Sequence, residues 1–406
     1  MKTFDVIVVG AGPAGSTAAN VCAKAGLDVL LLDKAVFPRV KPCAGALSVR
    51  TLRLLRVTGV HLPNSIIERE LFGIQLIGPD LKPVDIYSNS SLGCTIIRSR
   101  FDHYLVQKAV DAGAKFLDGH RVNNIEWQKS HISCHTNQGR FKGRLLIGAD
   151  GIGGRVARAA GLRGSFDPGN TGIAIEADVL IPQEELENKI NTNLLALYFL
   201  NIPLGYAWAF PRRTSLSLGI GGVANELKGL PRLLHIFARL YARQTGLHIP
   251  PLRKIVGHPL PATGFKQPLV ANRVLLVGDA AGFVDVFTGQ GICYAVESGI
   301  LAGRTVIKAI HNQTFSGAAL TSYSKIAQRR FGEELRVSRS VAMIIHNHLY
   351  GGFRLLRHIR SLNRFVQDIA TGQTDYYRFL RNPLKSLGKT LIAEIHARFT
   401  CQRGLR

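Results

Sequence analysis

The chain has 406 residues, 46% of them apolar and 19% charged, so it is long enough for two or three domains and too apolar to be disordered. Lys and Arg total 51 against 27 Asp and Glu, and the net charge of +24 favours an anionic partner: a phosphorylated cofactor, a nucleic acid or an anionic membrane. Six cysteines without a C-x-x-C pair argue against a disulfide scaffold and a zinc site, and no metal site is predicted.

The first 33 residues predict a strand, a glycine turn, a helix and a second strand. Residues 4–9 are mostly apolar and β-branched, as in buried parallel strands. The turn at 10–15 precedes an alanine-rich helix over 16–25, and residues 27–32 form the next strand. Because this segment leads directly into the turn, it does not read as a signal peptide.

The turn has the G-x-G-x-x-G spacing of a dinucleotide-binding fingerprint. Gly10 permits the tight turn, Gly12 lets the backbone approach a pyrophosphate, and Gly15 lets helix and strand pack closely. Asp33 ends the second strand, where a carboxylate can accept hydrogen bonds from an adenosine ribose. This arrangement favours FAD or NAD over NADP.

The rest of the chain predicts an α/β fold with an inserted β-rich part and a C-terminal helical segment. The predicted elements are short strands over 70–97, a helix over 101–112, strands near 115 and 131 and over 145–150, a β-rich stretch over 172–222, and a strand over 274–277. The predicted domains are a discontinuous Rossmann-like domain (1–70, 95–165 and 265–330), a β-sheet substrate domain (71–94 and 166–264) and a basic helical region (331–406).

The last 56 residues, 351–406, contain 11 Lys or Arg and 3 Asp or Glu. Their apolar positions recur at helical spacing, which predicts a basic amphipathic helix. The apolar positions are Leu355, Leu356, Ile359, Leu362 and Phe365. Such a helix either packs on the edge of a domain or lies on a membrane surface. The sequence contains no run of about 18 apolar residues, so no membrane-spanning helix is predicted.

Three further motifs favour FAD over NAD as the cofactor. They are R-x-x-F-D at 98–102, A-D-G at 149–151 and G-D-A-A-G at 278–282. Together with the glycine turn, this set resembles the FAD-dependent enzymes of the hydroxybenzoate-hydroxylase fold group over about residues 3–330. The resemblance implies FAD as cofactor.

The resemblance also implies residue roles. Asp279 would bind the ribitol hydroxyls, Arg98 would lie near the pyrophosphate, and Asp150 would support the cofactor. Gly289 and Gly291 would place backbone N–H groups near the flavin ring. Further cofactor contacts are expected at Ala14, Lys34, Cys43, Ala44 and Ile292.

Two local sequences, 37–48 and 203–211, narrow the resemblance to the geranylgeranyl reductase family. The second contains the family's Y-x-W-x-F-P motif in full, whereas in the first Ala44 replaces the first glycine after the cysteine. Members of this family reduce isolated double bonds in prenyl chains of lipids, quinones or pigment precursors. Related proteins are quinone reductases or halogenase-like monooxygenases, and both remain alternatives.

Within the second motif, Tyr206, Trp208 and Phe210 alternate along a predicted strand and should face one side. They either line a tunnel for an apolar chain, where their rings could stabilise a developing positive charge, or fill a core. Cys43 follows Lys41-Pro42 in a predicted loop near the cofactor and is the candidate catalytic residue; a redox pair with Cys293 is an alternative.

The remaining predictions concern partners. No second G-x-G-x-x-G turn is present, so the electron donor is either transiently bound NAD(P)H or a ferredoxin, and the positive charge suits an acidic donor protein. A prenylated lipid is the expected substrate. No base-reading motif accompanies the charge, so nucleic-acid binding is not expected. The expected location is cytoplasmic, peripheral on the inner face of an anionic membrane.

Overall fold

The computed structural model describes residues 2–371, apart from 165, 167, 168, 170, 263, 264, 266 and 267. The strands are β1 (Thr3–Val9), β2 (Val29–Leu32), β3 (Ala46–Ser48), β4 (Ile67–Leu71), β5 (Gly73–Ile77), β6 (Pro83–Tyr87), β7 (Gly93–Ile96), β8 (Lys115–Leu117), β9 (Val122–Trp127), β10 (Ile132–Thr136), β11 (Gly139–Gly148), β12 (Thr171–Leu180), β13 (Leu194–Tyr198), β14 (Tyr206–Pro211), β15 (Ser215–Val223), β16 (Val256–Pro261), β17 (Val270–Ala271) and β18 (Val274–Leu276). The helices are α1 (Pro13–Lys24), α2 (Val49–Val57), α3 (Arg98–Asp111), α4 (Val156–Ala159), α5 (Gln183–Lys189), α6 (Leu230–Thr245), α7 (Ile292–His311), α8 (Gly317–Ala327), α9 (Glu333–Asn347), α10 (Leu349–His358) and α11 (Arg360–Thr371).

The first sheet follows the order β17-β18-β11-β1-β2-β8, with the β9–β10 hairpin joined to β11. At its centre, β1 runs parallel to both β2 and β11. Val6, Ile7 and Val8 are fully buried in succession, so both faces of this strand are covered and its sequence is a continuous apolar run. The sheet brings the carboxyl ends of β1, β2, β11 and β18 to one edge.

Helix α1 begins at Pro13, three residues earlier than the sequence predicted. Pro13 occupies the first turn, where its missing N–H costs nothing, and Gly12 takes the N-cap position. The helix packs against α7 and α3. Its N-terminus therefore starts immediately after the turn that follows β1.

The second sheet follows the order β16-β12-β15-β14-β13-β5-β6, and only its β13–β5 pair is parallel among the described strands. One face packs against α6 through Ala209, Leu218 and Phe237. The other face carries Glu176 and Trp208, which line a cavity. The sheet thus has a core side and a cavity side.

Two helices within or beside the predicted β-rich stretch differ from the sequence-based expectation. Helix α5 interrupts that stretch, and α6 follows it. Helix α6 has Pro231 in its first turn and Gly246 in a left-handed C-cap, and its buried positions recur at helical spacing. The sequence therefore carries the signals of a helix at this place.

A third, small sheet consists of β3, β7 and β4. Residues 71–94 were predicted to belong to the inserted domain, but within them only β5 and β6 join the second sheet, whereas β7 pairs with β3 and β4. The domain boundaries themselves stay a prediction.

The predicted C-terminal helix is two helices as far as the structure describes it. Helices α10 and α11 are separated at Ile359, whose backbone is extended. Residues 372–406 of the predicted helical region lie outside the described residues. None of the described helices is long and apolar enough to span a membrane.

Candidate functional site

A cavity of about 1210 Å³ lies between the carboxyl edge of the first sheet and the cavity side of the second sheet. Ligand pockets usually have about 300–1000 Å³. The cavity extends from the turn after β1, past β14, to residues of α9, α10 and α11 such as Ile345, Phe353 and Phe365. It therefore has room for more than one small molecule, with a polar end and an apolar end.

The glycine turn forms the polar end. Gly10 has φ +105°, and a Cβ there would lie 2.2 Å from the carbonyl oxygen of Ala149. A Cβ at Gly15 would lie 1.8 Å from the Gly10 carbonyl oxygen, so Gly15 permits helix packing and does not line the cavity. A Cβ at Gly12 would meet only Arg39 Nη2 at 3.7 Å. The N-terminus of α1 is thus open toward the cavity, as anion sites require.

Asp33 connects the end of β2 to this turn. Its Oδ2 accepts a hydrogen bond from the Ala11 N–H at 2.7 Å, and its Oδ1 accepts one from the Ala35 N–H at 2.9 Å. Asp33, Lys34 and Ala14 all line the cavity. The carboxylate keeps further lone pairs for a ligand hydroxyl.

Two arginines share one buried carboxylate beside the turn. Arg98 donates from Nε and Nη2 to the two oxygens of Asp102, both at 2.8 Å, and Arg39 Nη2 lies 3.1 Å from Asp102 Oδ2. Burial alone would lower the pKa of Arg98, but Asp102 and then Cys43 outweigh it and raise that pKa. Nη1 of Arg39 is buried without a hydrogen-bond partner among the described residues.

Two aspartates close the polar end. Asp150 Oδ2 accepts the N–H groups of Arg155 at 2.6 Å and Val156 at 3.0 Å, while its Oδ1 is buried without a partner in the described chain. Burial raises the pKa of Asp150 in spite of these N–H groups. Burial also raises the pKa of Asp279, which Lys41 and Arg98 oppose. Oδ1 of Asp279 lies 3.6 Å from where a Cβ of Gly291 would be.

A turn over residues 285–291 borders the cavity before α7. Gly289 has φ +68°, Gly291 is the N-cap of α7, and both line the cavity with Ile292. The Oδ1 atom of Asp285 accepts the N–H groups of residues 287 and 288 at 2.8 and 2.9 Å. Burial raises the pKa of Asp285 to about 7. Sequence reasoning did not identify Asp285.

The three rings of Tyr206, Trp208 and Phe210, called here the aromatic wall, all line the cavity. Neighbouring ring centroids are 6.3 and 6.5 Å apart. The Tyr206 hydroxyl donates to the Thr288 carbonyl oxygen at 2.5 Å. The aromatic wall therefore contacts the turn that precedes α7.

Residues 39–45, called here the Cys43 loop, cross the cavity between the two sheets. Cys43 is half-buried, lines the cavity, and its N–H donates to Glu176 Oε1 at 2.6 Å. Cys293 is buried and also lines the cavity. Burial raises the pKa of the Cys293 thiol to about 11, which Arg50 opposes. Both thiols are free, so the redox pair stays a prediction.

Lys41 and His258 form a contact that the sequence did not suggest. Their Nζ and Nε2 atoms are within hydrogen-bonding distance, across 217 residues of sequence. Burial lowers the pKa of Lys41 to about 8. Burial and then Lys41 lower the pKa of His258 to about 4. Both side chains line the cavity, which thus holds a neutral imidazole beside an amine that titrates near physiological pH.

Comparisons with known proteins agree on the family. The FAD binding domain model matches residues 3–199. An uncharacterized protein of Methanosarcina barkeri is 34% identical over 87% of this chain and 86% of its own. Digeranylgeranylglycerophospholipid reductase 1 of Methanopyrus kandleri is 31% identical over 84% of this chain and 90% of its own. The chain belongs to the geranylgeranyl reductase family of FAD-dependent oxidoreductases.

Solved structures show the same fold. A geranylgeranyl bacteriochlorophyll reductase-like protein from Thermoplasma acidophilum superposes with a TM-score of 0.78, at 24% identity, over 98% of both chains. The flavin-dependent brominase Bmp2 superposes with a TM-score of 0.74, at 19% identity, over 95% of this chain and 98% of its own. At these identities the structures establish the fold alone, and halogenases share it with geranylgeranyl reductases.

The polar end of this family member's cavity fits FAD. The unpaired Nη1 of Arg39 and the open N-terminus at Gly12 suit the pyrophosphate, because both offer donors to an anion. Oδ1 of Asp150 lacks a donor, and no described residue donates to the Asp279 carboxylate. Such acceptors suit ligand hydroxyls. The predicted cofactor contacts thus lie around one cavity, except Gly15.

The departure of this chain from the family motif has a local explanation. Gly45 has φ +81°, and a Cβ there would lie 2.2 Å from the Ile96 carbonyl oxygen. Ala44 is not one of the described residues that have a positive φ. The loop therefore needs glycine at position 45, which is retained, and position 44 accepts alanine without strain.

Proposed function

We propose that this FAD-dependent oxidoreductase saturates isolated double bonds of a geranylgeranyl-type chain on a lipid, quinone or pigment precursor. The observation that carries the proposal is the apolar end of the cavity. It continues from the aromatic wall along Phe199, Leu349 and Phe353, which pack together, to the faces of α10 and α11. A prenyl chain is long, apolar and flexible, and such a chamber excludes water from it.

The aromatic wall would orient the chain and stabilise positive charge that develops on a protonated alkene carbon. When bound, FAD supplies the hydride. Around it, Gly12, Arg39 and Arg98 would hold the pyrophosphate, Asp33 the ribose, and Asp279 the ribitol. The support is that these residues line one cavity, where Arg39 Nη1 and Asp150 Oδ1 are buried without a hydrogen-bond partner among the described residues.

We infer that Cys43 is the catalytic thiol, because it lines the cavity, interacts with the Arg98 guanidinium and lies within electrostatic reach of Tyr206 in the aromatic wall. Cys43→Ser and Cys43→Ala should lower turnover while FAD content and melting temperature stay near wild type. Cys22→Ser is the matched control, because Cys22 is fully buried in the core around the first sheet and does not line the cavity. Unchanged turnover in both Cys43 variants would show that Cys43 is not the catalytic thiol.

The test of the reaction is product mass. FAD-loaded enzyme is incubated with a geranylgeranyl glycerophospholipid and dithionite, without oxygen and then in air, with NADPH and reduced ferredoxin as parallel donors. Gain of hydrogen pairs without oxygen supports the proposal, and gain of one oxygen atom in air would establish a monooxygenase instead. An unchanged lipid with a quinone reduced in its place would establish a quinone reductase.

We further propose that the enzyme docks on an anionic membrane through α9 and α10. Met343 and Tyr350 are exposed apolar side chains on these helices, and Ile344 and Leu355 are exposed yet also line the cavity. The apolar end of the cavity thus opens at an apolar surface beside exposed Arg354, in a chain of net charge +24. A lipid could enter the cavity there directly from a bilayer.

Co-sedimentation with vesicles tests this docking. Binding should rise with phosphatidylglycerol content and fall with salt. Met343→Ser and Tyr350→Ser should weaken it, whereas Leu180→Ser should not, because Leu180 is more exposed than either of them but lies on β12. If vesicle binding does not change with salt concentration or in the Met343→Ser and Tyr350→Ser variants, the proposed docking surface is refuted.

A further inference from the structure

A chain of hydrogen bonds connects the aromatic wall to the Cys43 loop. Trp208 Nε1 donates to Ser217 Oγ at 3.2 Å, and Ser217 Oγ donates to Glu176 Oε2 at 3.3 Å. The other carboxylate oxygen, Oε1, accepts the Cys43 N–H at 2.6 Å. Ser217, Glu176 and Trp208 are 0%, 5% and 7% exposed, so these bonds form away from bulk water.

The register of the second sheet explains why these groups meet. Glu176 on β12 pairs with Gly219 on β15, and Gly219 pairs with Trp208 on β14. A Cβ on Gly219 would lie 2.0 Å from the Trp208 ring. The missing side chain therefore lets the indole lie flat across β15, which brings its Nε1 atom to Ser217, two residues earlier on that strand.

The carboxylate is held by donors rather than by a salt bridge. Burial raises the pKa of Glu176, while the Cys43 N–H, Arg212 and Ser217 lower it and Asp178 raises it. Arg212 forms its ion pair with Asp178 instead, at 2.6 Å. A buried acceptor that satisfies a partly buried backbone N–H is costly to remove, because the N–H is then left without this partner.

The Cys43 loop has attachments on two sides. On one side, the Cys43 side chain interacts with Arg98 of α3, and the Gly45 carbonyl oxygen accepts the N–H of Ile96, on β7 of the third sheet, at 2.8 Å. On the side of the second sheet, Arg212 Nη2 reaches the Ala44 carbonyl oxygen only at 3.5 Å. Lys41 of the same loop also contacts His258 on β16 of this sheet, but the short bond to Glu176 is the attachment made at Cys43 itself.

We propose that Glu176 is a positioning residue that fixes the Cys43 thiol relative to the aromatic wall, with Ser217 orienting its carboxylate. This inference deepens the proposed function and rests on it for its catalytic meaning. The positioning itself does not depend on the identity of the substrate, and it predicts how freely the thiol reacts with an added reagent.

The test is the rate of Cys43 alkylation by iodoacetamide in FAD-loaded enzyme, followed by peptide mass. Glu176→Leu should accelerate alkylation by about tenfold, the factor that corresponds to one lost hydrogen bond. Glu176→Gln keeps an acceptor oxygen for the Cys43 N–H and should restore a rate near wild type. Ser217→Ala should give a smaller acceleration, since it frees only one side of the carboxylate.

Glu184→Leu is the matched control, because Glu184 is exposed on α5. Melting temperature and bound FAD are measured for every variant, so that unfolding is recognised; Glu176→Gln and Ser217→Ala keep the inference testable if Glu176→Leu does not fold. With the lipid substrate, positioning predicts a lower kcat with little change in KM. The inference would be overturned if Cys43 in folded Glu176→Leu or in Ser217→Ala is alkylated at the wild-type rate. It would also be overturned if Cys43 in Glu176→Gln reacts as fast as in Glu176→Leu. Neither outcome depends on the identity of the substrate.

Discussion

Replacing Asp285 with Asn should stabilise the protein more and more as the pH rises toward neutrality. The side chain is 2% exposed, and burial raises its pKa from 3.8 to about 7, with Glu334 adding to the effect and the N–H groups of Phe287 and Thr288 opposing it. A raised pKa in the folded state means that the folded protein binds the proton more tightly. The corresponding stability is complete below the unfolded pKa near 3.8 and is lost as the pH rises through about 7.

The size of this effect follows from the shift. A rise of the pKa from 3.8 to about 7 corresponds to roughly 4 kcal/mol as an upper limit, at about 1.4 kcal/mol for each pH unit. At about 2 °C per kcal/mol, the melting temperatures of wild type and Asp285→Asn should diverge by up to roughly 8 °C between pH 4 and pH 8. Asn keeps the Oδ1 acceptor, so the turn over 285–291 retains its hydrogen bonds.

The assay is thermal unfolding of the FAD-loaded proteins at half-unit pH steps. Asp80→Asn is the control: Asp80 lies on the surface, where a hydrogen bond from Arg357 lowers its pKa, so its variant should show no gain at neutral pH. A constant difference between wild type and Asp285→Asn, or a difference that shrinks as the pH rises, would refute the reasoning that burial controls this carboxyl group.

Three further variants test the cavity. Gly10→Ala places a Cβ 2.2 Å from the Ala149 carbonyl oxygen at φ +105°. The dissociation constant for FAD, measured by flavin fluorescence, should therefore rise about tenfold, which corresponds to about 1.4 kcal/mol. Unaltered binding would contradict the need for glycine there. Gly219→Ala overlaps the indole of the aromatic wall and should cost about 1–3 kcal/mol of unfolding free energy in denaturant titrations. Lys41→Met removes a cation beside His258, so the pKa of His258 should rise from about 4. The pKa is measured by NMR of the imidazole ring. An unchanged or lower pKa would contradict the contact between Lys41 and His258.

The parts of the site that the sequence predicted are those encoded by local spacing. The glycine turn, Asp33 at the strand end and the alternation in β14 each lie within a few residues, so one pattern contains the complete constraint. Ala14 and Ile292 line the cavity in the same way, at the starts of α1 and α7. These positions follow from the elements to which they belong.

The parts that the sequence did not predict depend on contacts between distant segments. Glu176 stands in an ordinary strand, and its partner Cys43 is 133 residues away. His258 meets Lys41 only because β16 and the Cys43 loop border the same cavity. No pattern of neighbouring residues marks such positions, because sheet order, not spacing, brings them together.

The order of the strands in the two sheets sets the order in which they can be completed during synthesis. The second sheet needs residues 73–261, whereas the first sheet starts at residue 3 and acquires β18 only at residues 274–276. The second sheet is therefore complete on the nascent chain before the first, and α10 follows later still. Until then the aromatic wall has no cover from the C-terminal helices. An exposed apolar surface that persists during translation is a binding site for chaperones and a starting point for aggregation, so slow translation near the end of this message should reduce the yield of folded enzyme.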